Sequence, residues 1–196
     1  MKKIVMLLAV LVICQEVAVA SPKWTEKDGV IYFTVTSNGW TCNEWIIHFQ
    51  SKKIGISNQA KLLFLLSKSH KNFTSKRGTA YSIAVIKGDI FSDENRTVSK
   101  IWKEADKHKF VEPNAEVAFL IRDQFTDDEI EKMGVYNIMA MFESIPNKVV
   151  GDPGLMSALV IGSESCLLAQ GIVSPDDGCL RESGFAFLVS QASYKN

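Results

Sequence analysis

The chain has 196 residues, with 22 Lys and Arg against 22 Asp and Glu, and 46% of its residues are hydrophobic. This balance excludes strong general nucleic-acid binding but not a local patch, no specific nucleic-acid partner is expected, and the length suits one domain that buries a core without a structural metal. No segment after the first twenty residues is apolar enough to span a bilayer; residues 155–173 come closest, and Gly162-Ser163-Glu164-Ser165 interrupts them.

Residues 1–20 have the three-part layout of a secretory signal peptide. Lys2 and Lys3 give a positive start, residues 4–14 form an uninterrupted apolar run, and Ala18 and Ala20 supply the small residues a signal peptidase inspects. The run is too short for a transmembrane span, which needs roughly 20 residues. Ile13 before Cys14 is too large for a bacterial lipidation signal. The expectation is an exported protein, periplasmic or secreted, with the mature chain beginning at Ser21 and forming a single globular domain over residues 21–196.

Residues 30–36 alternate, Ile31, Phe33 and Val35 against Tyr32, Thr34 and Thr36, which predicts a half-buried strand. Thr41 and Glu44 then stand at capping-box spacing and open a helix over about residues 42–53, with Trp45, Ile46 and Phe49 at helical spacing and Gly55 as its left-handed stop. Residues 60–66 and 81–86 read as strands. Val98, Ile101, Trp102 and Ala105 fall on one helical face, capped by Ser92 or Asp93 and ended before Pro113. Trp102 is expected in the core.

Residues 117–121 are apolar on both faces and read as a central strand. Thr126 and Glu129 form a second capping box on a short helix that Gly134 closes. A strand over 135–142 follows, and two or three more lie between 155 and 191 around the Pro175-Asp176-Asp177-Gly178 turn. The expected class is α+β: one mixed, largely antiparallel sheet with two or three packed helices.

Cys42 falls at the first position of the predicted helix, where unpaired amides lower a thiol's pKa. As a nucleophile it would need His70 or His108 as base, because His48 stands on the far side of the same helix. With Cys14 lost, three cysteines remain; the expected pairing is Cys166 with Cys179 across the 175–178 turn, leaving Cys42 as the odd thiol. The histidines are scattered, the cysteines lack zinc spacing and no glycine-rich phosphate loop is present, so neither metal nor cofactor is expected.

Charge is segregated along the chain. Residues 45–88 hold eight bases and no acid, and residues 112–143 hold eight acids and two bases. Lys68, Lys71, Lys76 and Arg77 are the candidate surface for an anionic envelope polymer or a protein partner; alternatively the two charge blocks face each other. The first functional reading is an exported, non-catalytic binding or accessory protein of the bacterial periplasm or exterior. The second is a thiol-dependent enzyme using Cys42.

Overall fold

A computed structural model describes residues 22–58, 60–61, 76–142, 156–162, 166–173 and 175–190. The alternating segment forms strand β2 (Val30–Thr36), preceded by β1 (Thr25–Lys27). Between them Asp28 and Gly29 both have positive φ, 53° and 73°, the pattern of a tight hairpin turn matched to strand twist. Helix α1 (Cys42–Ser51) begins at Thr41, whose hydroxyl accepts from the Glu44 amide while Glu44 reaches back to the Thr41 amide. Its left-handed stop is Lys53, at φ 59°, and not Gly55, which lies in the short strand β3 (Gly55–Ile56).

Strand β4 (Ala80–Lys87) leads through two short 3-10 turns to helix α2 (Val98–Lys107). Thr97 takes the cap position; residues 93–95 spend themselves in a 3-10 turn, so neither Ser92 nor Asp93 caps the helix. Then come β5 (Phe110–Val111), α3 (Glu116–Gln124), α4 (Asp127–Lys132), β6 (Asn137–Phe142), β7 (Met156–Gly162), β8 (Cys166–Val173) and β9 (Ser183–Val189). The fold is α+β. One sheet runs β1-β2-β4-β9-β6-β7-β8-β3, with β5 on β9. Its pairings are antiparallel except β6 with β9 and β3 with β8.

The sheet is covered on both faces. Ile31, Phe33, Val35, Ile83, Val85, Ile138 and Ala140 meet Trp45 and Phe49 of α1, Val117 to Ile121 of α3 and Ile130 of α4. Val30, Ala84, Ile86, Met141, Phe185 and Phe187 meet Val98, Ile101 and Ala105 of α2 and Phe110 of β5. Trp102 packs only partly into this second cluster, its ring edge-on to Phe187 at 5.1 Å.

Three further expectations change. Residues 117–121 are helical, because the whole of α3 from Glu116 to Arg122 is buried and a helix buried all round shows no polar period. Ala60 and Lys61, read as the start of a strand, are helical. The Cys166–Cys179 bridge is not made: Cys179 carries a free thiol, and no bridge joins the described cysteines. Cys166 opens β8, whose eight extended residues carry the chain about 23 Å to Val173. The following turn does not fold back along β8. It docks on the start of α2, where Val98 N–H donates to the Asp177 carbonyl and Cys179 N–H to the Arg96 carbonyl, and β9 then inserts between β4 and β6.

Candidate functional site

Cys42 is the first residue of α1 and is buried in the larger core cluster, 3% exposed. His108 caps the far end of α2, exposed, with its ring stacked on Phe110 at 5.1 Å and Nε2 3.5 Å from Glu104. Phe110 belongs to the cluster on the opposite face, so the sheet stands between Cys42 and His108. His70, Lys68 and Lys71 lie outside the described residues, as does the predicted signal over 1–20. Lys76 and Arg77 are exposed on the turn leading into β4. That turn touches the 37–41 loop: a Cβ on Gly39 would sit 2.9 Å from the Arg77 Cβ.

Two polar constellations emerge on the face covered by α1, α3 and α4. The first centres on Glu116, the opening residue of α3, which is fully buried. Ser37 Oγ donates to its Oε1 at 2.7 Å, and the Tyr81 hydroxyl donates to Oε2 at 3.4 Å. Asn114 Nδ2 donates to the same tyrosine oxygen at 3.1 Å, and Gly39 N–H to Ser37 Oγ at 3.0 Å. The Trp45 indole N–H favours the carboxylate from nearby but lies outside ordinary hydrogen-bond geometry. Burial pushes the Glu116 pKa up, and it outweighs the lowering by Ser37, Tyr81 and Trp45.

The second lies at the other end of α3. Asp123 Oδ1 accepts from His48 Nε2 at 2.6 Å and from Lys52 Nζ at 2.5 Å. Burial pushes this carboxyl up, but the Lys52 and His48 hydrogen bonds and charges together hold it below the usual aspartate range. The His48 ring also lies 4.6 Å from Trp40 and 5.9 Å from Trp45. Arg122, 7% exposed, binds Asp127 with one terminal nitrogen at 2.5 Å, and its Nε has no hydrogen-bond partner among the described residues.

These pairs border an open groove of about 540 Å³ between the end of α1 and the α3–α4 corner. Lys52, Lys53 and Ile54 form one wall, Arg122, Asp123, Phe125, Thr126, Asp127 and Asp128 the other. Its volume falls within the roughly 300–1,000 Å³ of small-ligand pockets. The two intramolecular pairs neutralise each other. Lys53 and Asp128 have no ion-pair partner among the described residues, which leaves one cation and one anion facing the groove over Ile54 and Phe125.

The charge segregation in the sequence is partly resolved here, because Lys52 of the basic block faces Asp123 of the acidic one. Neither Glu116 nor the groove has a direct signal along the chain: Ser37 and Glu116 are 79 positions apart, His48 and Asp123 75. Among the described residues no group of three or more His, Cys, Asp or Glu could hold a metal ion, and no helix is long and apolar enough to cross a membrane. Compared with known proteins, the chain matches no family model, no curated protein and no solved structure.

Proposed function

We propose that the protein is an exported binding or accessory protein, non-catalytic, and that the groove between α1 and the α3–α4 corner takes a small dipolar ligand or a short charged segment of a partner. The observation that carries this reading is the unmatched pair Lys53 and Asp128 set over apolar Ile54 and Phe125. A ligand carrying both a carboxylate and an ammonium group gains from both walls, while a simple anion or cation meets repulsion from one of them. The competing thiol chemistry loses support from the burial of Cys42 and from the sheet that separates it from His108.

Titration with glycylglycine, followed by backbone amide NMR, tests the groove. Shifts are expected at residues 53–54 and 125–128, weaker with acetate or methylamine alone and lost in Lys53→Glu. Shifts confined to other surfaces, or none at all, would refute the groove reading. Export is tested separately by intact mass of protein recovered outside the cytoplasm. An amino terminus at Ser21 is expected, and a retained Met1 contradicts processing.

A further inference from the structure

His48 sits behind one wall of the groove. Its Nε2 lies 2.6 Å from Asp123 Oδ1, and Lys52 Nζ lies 2.5 Å from the same oxygen. A histidine of α1 and the residue that caps the helix therefore share one oxygen of a carboxylate that lines the groove. An ionised carboxylate only accepts hydrogen bonds. Neutral His48 must then carry its hydrogen on Nε2, and Nδ1 is the atom that takes a further proton. The side chain is 22% exposed, within reach of water.

The rings of Trp40, Trp45 and Phe49 border the imidazole at 4.6, 5.9 and 5.6 Å and bring no charge. Glu44, one turn earlier on α1, is exposed, and its carboxylate is turned to the Thr41 amide and hydroxyl. Among the described residues, Asp123 and Lys52 are the charges that face His48. The groove itself is balanced: Lys52, Lys53 and Arg122 line it against Asp123, Asp127 and Asp128, three cations to three anions. A proton on Nδ1 adds a fourth cation directly behind Asp123 and makes Lys52 share its counter-charge. Histidine is the side chain whose ordinary charge change falls between about pH 5 and 8.

We propose, resting on the groove reading above, that His48 sets which ligand charge the groove prefers: with the imidazole neutral the groove takes a dipolar ligand, and with the imidazole protonated it favours a carboxylate over an amine. The sign follows from the charge count alone, since the proton turns a balanced site into one with a single net positive charge. His48 is a positioning residue in this scheme. It reaches the ligand through Asp123 and by its field, not by contact.

Amide NMR titrations of the full chain with acetate and with methylamine, from about pH 8 down to about pH 5.5, decide it at residues 53–54 and 125–128. On going to the lower pH, acetate should bind on the order of three-fold more tightly and methylamine correspondingly more weakly, the effect of one unit charge several ångströms away at a partly solvated site. The change should share its midpoint with the His48 ring resonances. It should vanish in His48→Gln, which keeps a donor for Asp123 and carries no titrating charge. A preference that is the same at both pH values, that follows another midpoint, or that persists in His48→Gln overturns the proposal and leaves the groove standing. So does a His48 ring that does not titrate in this range, a result read on the wild type whether or not the variant folds. An absence of shifts at the groove with both probes and with glycylglycine overturns the groove reading and the proposal together.

Discussion

On one face of the sheet, β2, β4, β6 and β9 turn Ile31, Phe33, Val85, Ile138 and Ala186 toward α1, α3 and α4; on the other they turn Val30, Ala84, Ile86, Met141 and Phe187 toward α2 and β5. The same strands supply both faces, since alternate side chains point opposite ways. What they cover differs. Beside the second cluster the buried charge is Arg96, and it is well satisfied: Nε donates to the Gly88 carbonyl, and a terminal nitrogen to the Phe91 carbonyl and Asp93. That arginine is a structural joint. Among the described residues the first face buries Glu116 with no cation beside it and Arg122 with an unpartnered Nε, and it borders the His48–Asp123–Lys52 group. Polar groups that a fold needs only for shape are usually fully paired. The second face also leaves Trp102 Nε1 without a hydrogen-bond partner among the described residues, so the difference lies in the buried charges, and these are the reason to look for function on the first.

The largest expected effect comes from emptying that face. Phe119 is fully buried and stacks on Phe49 at 5.7 Å, with Trp45 at 5.8 Å. Phe119→Ala should cost about 3–5 kcal/mol, the range for a buried aromatic. Trp102→Ala on the other face should cost roughly half as much, because the indole is only partly buried and its principal ring contact is Phe187. Urea unfolding of both variants checks the ranking. Equal losses would mean that the two faces contribute alike and that Trp102 is a core residue after all.

The contrast between faces also sets what could be read along the chain. α1 and α4 were legible because a Thr and a Glu three residues apart perform a local act of capping, which needs no tertiary partner. β2 was legible because one of its faces is wet at Thr34 and Thr36. α3 was not, since it is buried continuously from Glu116 to Arg122 and nothing in five apolar residues tells helix from strand. The site was hidden for a related reason. Glu116 and Arg122 look like polar boundaries of an apolar run, yet they are its buried ends, and their partners arrive from distant strands and loops. The expected cysteine pairing is not made because a turn need not close a hairpin: the chain leaves β8, docks its turn on the start of α2 and returns as β9 between β4 and β6.

The smallest expected effect sharpens the comparison within the first face, between its two carboxyls. Glu116 and Asp123 stand at opposite ends of α3 and are displaced in opposite directions, the first raised by burial, the second lowered by Lys52 and His48 despite burial. A raised acid contributes stability that is lost as pH rises. A lowered acid contributes stability that is present above its unfolded value, about 3.9 for aspartate, and is lost as pH falls toward the folded one. Asp123→Asn should therefore destabilise at neutral pH, and the deficit should close in acid. Its side chain is 26% exposed and Lys52 45%, so solvent screens the pair and the neutral-pH loss should be only about 0.5–1 kcal/mol. Urea midpoints of wild type and Asp123→Asn at neutral pH and at about pH 3 measure it, that acid value lying below the ordinary aspartate pKa. A deficit that persists in acid would show that the asparagine disturbs packing at the groove and not an ion pair. A variant as stable as wild type at neutral pH would mean that His48 and Lys52 give the carboxylate no more than water does.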